Sequence, residues 1–335
     1  MSRRVAVLLA AGGIVLCCCL AVVGVAGGIM AALSPSQELI TDQEPSPPIT
    51  SPTGTPQVEV EEQPTLAENV LSSPASEGGY ETLEALRTTV IPIRDAIELA
   101  QRFKGVGDIQ PSLSSPPEVY RMGDSKRFWI TDVDANRNYQ VTAVLRYIGQ
   151  NHYFWIEKGV NYLAEDLLQL AETFDQSIYP TTRSFFGSEW SPGVDNDPRV
   201  YILFARSLGA RLVGYFSSSN SLNPLAHPFS NAHELFLLNA DTVRLADNFT
   251  YGVLAHELQH MIQWNQDRNE ESWLNEGFSE LAVFLNGYYQ GGFDRIFTRS
   301  PDVQLNDWPI DREATLPNYG ASFLFVTYFL DRFGE

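Results

Sequence analysis

Residues 256 to 260 read His-Glu-Leu-Gln-His, and residues 273 to 280 read Trp-Leu-Asn-Glu-Gly-Phe-Ser-Glu. On a helix, His256 and His260 lie one turn apart on one face, close enough for two imidazoles to hold one metal ion. Glu257 stands beside them, where a carboxylate can take a proton from a water on that ion. The chemistry these three residue types could perform is metal-assisted hydrolysis. The spacing supports the helix: Val253, Leu254, Leu258, Met261, Ile262 and Trp264 form one broad apolar face across 253–264. Alone, the five-residue match is equally consistent with two hydrogen-bonded core histidines.

Catalytic zinc takes three protein ligands and leaves one position for water, so two histidines are one ligand short. The second run begins thirteen residues after His260, across the polar stretch 265–271. Helical spacing puts Glu276 and Glu280 on one face. A short connection returns such a helix beside the first, with Glu276 in reach of the ion.

The pair of motifs resembles the gluzincin zinc metallopeptidases, whose third ligand is the glutamate of an Asn-Glu pair on the next helix. Trp273 to Phe278 is similar to the aminopeptidase branch. The wider pattern, which includes HELQHMIQWN, ESWLNEGFSELA and NYGASFLFVTYFLDRFG, is similar to the hyicolysin-like bacterial peptidases across roughly residues 120 to 335. The resemblance implies a zincin-like domain with His256, His260 and Glu276 as zinc ligands and Glu257 as general base. It also implies Glu280 as the outer partner of His256, and protein or peptide as substrate. Tyr319, in Asn318-Tyr-Gly-Ala, is the candidate donor to the developing oxyanion; packing at a helix start is its plain alternative. By position, the strand expected at 234–239 is the edge that pairs with an extended substrate backbone. A non-catalytic binding or sensory module on the same scaffold is the rival reading. Glu257 separates the two, because a binding module has no need of a base between its histidines.

The elements that must position these residues are expected to form an α+β domain with a small mixed or antiparallel sheet and an active-site helix. Residues 80–160 read as an N-terminal helix, interrupted at Pro92, followed by an antiparallel unit at 127–132, 139–147 and 153–157. The link 132–138 is rich in Asp and Asn but lacks the glycine and distal glutamate of a calcium loop, so it is expected to be a polar hairpin turn. Residues 161–335 form the peptidase part: a helix at 163–174, a buried strand at 200–204, a loop at 209–228, a strand at 234–239 and then the two motif helices. His152, His227 and His233 are expected at the surface or in loops, with His233 the one of interest. About sixty residues follow Glu276, fewer than this type of peptidase usually carries, so either the substrate cleft is unusually open or the chain is C-terminally truncated.

Ahead of the globular part, Arg3 and Arg4 precede an apolar run from Val5 to Leu33, long enough to span a bilayer. Residues 1–33 are expected to form an uncleaved transmembrane helix, with the rest of the chain outside the cytoplasm; secretion after signal cleavage is the alternative. Residues 34–79 hold many prolines and no Lys or Arg, and read as a disordered acidic tether. The net charge of -19 excludes a folded part that binds nucleic acid, which demands a basic surface. The only cysteines are Cys17, Cys18 and Cys19, so no disulfide holds the globular part.

Overall fold

The computed structural model describes residues 16–20, 77–89, 93–309 and 314–334. Contacts divide the chain into Met1–Val23 with Ile93–Glu335, and Gly24–Pro92. The second unit contributes one described helix, α1 (Glu77–Thr88), and α2 (Ala96–Lys104) is the first described helix of the other unit. The expected tether otherwise lies outside the described residues.

Among the described residues the first unit is built on one seven-stranded sheet in the order β1 (Leu16–Leu20), β6 (Leu212–Ser217), β7 (Leu235–Asn239), β5 (Val200–Ala205), β4 (His152–Glu157), β3 (Arg137–Ile148), β2 (Ser125–Asp132). Strands β2 (Ser125–Asp132), β3 (Arg137–Ile148) and β4 (His152–Glu157) form the expected antiparallel meander. The link at 132–138 is a hairpin turn, in which Asp132 accepts from the backbone N–H groups of Asp134 and Ala135. The meander is not a separate layer. β4 pairs in parallel with β5 (Val200–Ala205), and β5 pairs in parallel with β7 (Leu235–Asn239), so both halves share one sheet. A parallel pair needs a crossover. Helix α3 (Ala164–Thr173) supplies it, running through a π-helical turn at Phe174–Ile178 into α4 (Tyr179–Phe186), a turn or more beyond the expected helix.

The central strands are apolar without interruption because both faces are covered. Phe154, Ile156, Ile202, Phe204, Phe236 and Leu238 enter the core on the side of the helices. The alternate residues Tyr153, Trp155, Tyr201, Leu203, Leu235 and Leu237 enter a second core on the other side.

Three expectations are corrected. Residues 209–228 are not all loop: β6 (Leu212–Ser217) lies within them and is buried throughout. β7 is not an edge strand, since it sits between β5 and β6. His152 is buried in β4, neither at the surface nor in a loop, and bonds Asp175; His233 lies in a loop as expected but is buried there and bonds Asp195.

Within the run expected to be a membrane helix, the five described residues, β1 (Leu16–Leu20), are extended and pair antiparallel with β6. Among the described residues no helix is long and apolar enough to cross a membrane.

Candidate metal centre

Helix α5 (Asn248–Gln266) carries the first motif and is buried over most of its length. Leu254, Leu258, Met261 and Ile262 join the core formed by β4, β5 and β7. Their burial against the sheet sets the rotation of the helix and turns His256, Glu257 and His260 as one group. The chain reverses after α5 and returns as α6 (Ser272–Leu285), which carries Glu276 and Glu280. After the short helix α7 (Phe293–Arg299), α8 (Leu316–Phe333) lies behind α6. Gly277 lets the two helices approach: a Cβ there would sit 3.0 Å from the Ser322 carbonyl oxygen and 3.1 Å from Val326 Cγ1.

His256, His260 and Glu276 come together as expected. Each offers one ligand atom, and the three atoms lie within 4.8 Å of one another in a buried cluster. His256 Nε2 is 2.9 Å from His260 Nε2 and 3.3 Å from Glu276 Oε2, and His260 Nε2 is 3.5 Å from that same oxygen. Donors about 2.0–2.2 Å from a tetrahedral ion lie about 3.3 Å apart, so this spacing fits a single zinc-sized cation.

The far side of each ring supports the same assignment. His256 Nδ1 is 3.2 Å from Glu280 Oε1, the outer partner expected from the sequence. His260 Nδ1 is 3.0 Å from Asn275 Oδ1 and 2.8 Å from Ser279 Oγ. A carboxylate acceptor at His256 Nδ1 holds a ring proton there and leaves Nε2 as the atom facing the cluster.

The electrostatics describe a site that binds either protons or a cation. Burial alone would depress the His256 imidazole, but the hydrogen bonds it donates to Glu276 and Glu280, and their charges, outweigh this and push it up to about 10. Burial would raise the Glu276 carboxyl; the two histidines overcome this and hold it well below the usual carboxylate range. A metal entering the cluster must therefore displace a proton from His256.

Glu257 is fully buried on α5 next to the first ligand. Strand β6 passes over it: a Cβ on Gly214 would lie 3.4 Å from Glu257 Oε1. Tyr319 stands in the first turn of α8, stacked on Phe293 with centroids 4.9 Å apart and edge-on to Trp308 at 4.9 Å. These described contacts are packing contacts.

Asn275, Ser279 and Gln259 have no role in the sequence reading. The signal was there for two of them, since Asn275 and Ser279 are one helical turn apart on α6. Gln259 faces them from α5 and is detectable only once the two helices are seen together.

The two helices thus bring together a buried group of residues that could hold a metal ion, with a carboxylate beside it. The chain is 28% identical over 235 residues to the neutral metalloprotease ShpI of Staphylococcus hyicus, a match covering 62% of this chain and 51% of that protein. This similarity supports a metallopeptidase. The chain spans about half the length of the relative it matches. No family model matches it.

Proposed function

We propose that this protein is a zinc-dependent peptidase, of the gluzincin kind and nearest to the hyicolysin-like enzymes, that hydrolyses peptide bonds within protein or peptide substrates. The observation that carries the reading is the convergence of His256, His260 and Glu276 on one point, with Glu257 adjacent on the same helix. The similarity to a neutral metalloprotease supports it.

His256, His260 and Glu276 would hold the ion, and Glu280 would orient His256. Zinc bound there would supply Lewis acidity, bringing the pKa of a water near 7 and polarising the scissile carbonyl. Glu257 takes the proton of the attacking water and delivers it to the leaving amine. Tyr319 is assigned the donor to the oxyanion on its chain position, on a helix that packs against α6. An extended substrate backbone belongs on β6 rather than β7, because β6 is the strand beside Glu257. That edge is where Leu16–Leu20 pair, so a substrate and this segment exclude each other there.

The apolar run 5–33 is proposed as a membrane anchor that holds the domain outside the cytoplasm. For residues 16–20, membrane insertion and pairing with β6 are exclusive. Carbonate-resistant membrane fractionation of the full chain, with protease accessibility of the globular part, supports the anchor; recovery in the soluble fraction removes it.

Glu257→Ala tests the catalytic assignment. The variant should keep its zinc and lose peptide cleavage by a factor on the order of 10²–10⁴. Cleavage at the wild-type rate would leave the metal centre without its base. Tyr319→Phe should lower turnover with zinc content unchanged, and unaltered turnover takes the tyrosine out of the site.

A further inference from the structure

We infer that Ser279, held by Gln259, is a positioning residue that fixes the His260 proton on Nδ1 and so directs the Nε2 lone pair at the ion. The inference rests on the metal-centre reading above.

Ser279 and Gln259 are both fully buried, one on each motif helix. Ser279 Oγ meets three groups: Gln259 Oε1 in a short hydrogen bond, the Asn275 carbonyl oxygen at 3.0 Å, and His260 Nδ1 at 2.8 Å. A hydroxyl has one proton to give, and a carbonyl oxygen can only accept. Two of the three neighbours are carbonyl oxygens, so the Ser279 proton goes to one of them. In the remaining contact the hydroxyl oxygen accepts, and His260 Nδ1 must donate. Gln259 is turned the right way for this: the Glu270 carboxylate takes Gln263 Nε2, so Gln263 Oε1 accepts from the Gln259 amide nitrogen at 3.4 Å, which leaves Gln259 Oε1 facing the serine.

Asn275 Oδ1 also reaches His260 Nδ1, but a side-chain amide can present its nitrogen instead after a half-turn. The serine has no such freedom, because its own proton is already committed. Gln259, Ser279 and Nδ1 of His260 thus form a one-way chain of hydrogen bonds. With the proton on Nδ1, Nε2 carries the lone pair that a metal needs; the other tautomer would point an N–H at the ion.

The test measures the zinc dissociation constant of the full chain by competition with a chromophoric chelator, beside the thermal midpoint of each metal-free form. Ser279→Ala should raise the constant roughly 10- to 100-fold, the usual cost of losing an outer partner. Ser279→Thr, which keeps the hydroxyl, should bring it back toward wild type. The metal-free midpoints should not follow the same order, as they would if the serine only packed. If Ser279→Ala does not fold, the wild type carries the test: the imidazole nitrogen shifts of His260 in the metal-free chain should be those of the Nδ1–H tautomer, and those of the Nε2–H tautomer would overturn the inference. Unchanged zinc affinity in the folded variants would falsify the inference while leaving the metal centre standing. A wild-type chain that binds no zinc overturns the metal-centre reading, and this one with it.

Discussion

At the scale of single residues, the proposed metal centre is a set of hydrogen bonds that orient the proposed ligands. Glu280 holds His256 Nδ1 at 3.2 Å. Replacing it with alanine should weaken metal binding about 10- to 100-fold, because the ring loses its acceptor. Chelator competition reads this directly, and an unaltered affinity would detach Glu280 from the site. Away from the centre, Glu234 is a second buried carboxyl with a measurable signature. Burial, and then the charge of Asp195, pushes it from 4.5 up to about 8. The folded state therefore retains a proton that the unfolded chain releases. Stability from this group is complete below the unfolded value and is lost as pH rises toward 8. Glu234→Gln should gain on wild type across that window in denaturant titrations, and a difference independent of pH would contradict the assignment. Local helical spacing was enough to group His256, His260, Glu276 and Glu280, which the structure brings together. It missed Ser279 and Gln259 because their meeting is a property of two helices in contact.

At the scale of elements, the site is positioned by packing from both sides. The sheet fixes α5 through Leu254 and Leu258, and α8 fixes α6 at Gly277. Gly277→Val should push α8 away and cost about 1–3 kcal/mol of stability, the usual range for overpacking. An unchanged denaturant midpoint would mean that the helices tolerate a wider spacing. The two motif helices and the hairpins were legible because each has a clean hydrophobic period. β6 was not, because Gly214 breaks its apolar run and a Ser- and Asn-rich stretch follows it. That glycine is explained by close approach, since a Cβ would lie 2.7 Å from the Leu237 carbonyl oxygen. The internal place of β7 was not legible for another reason: strand order is set by pairing between distant segments. The run Leu235 to Leu238 carried only the weaker message that both faces are covered.

At the scale of the whole molecule, one sheet unites what the sequence divides near residue 160, because the parallel pairing of β4 with β5 has no local sequence mark. The metal centre lies between that sheet's helical face and the C-terminal helices, with no disulfide to hold them. Bound metal should therefore act as a tie across the fold. At a free concentration about a thousand times its dissociation constant, a native-state ligand adds about 4 kcal/mol. Chelation should lower the thermal midpoint and zinc should restore it; a midpoint indifferent to both would show that the helices pack without the ion. The measurement that bears most directly on the central claim is the metal content of the purified full chain, wild type beside His260→Ala. About one zinc per chain in the wild type and a loss of it in the variant is the predicted result. Zinc absent from the wild type, or retained unchanged by His260→Ala, would contradict the account.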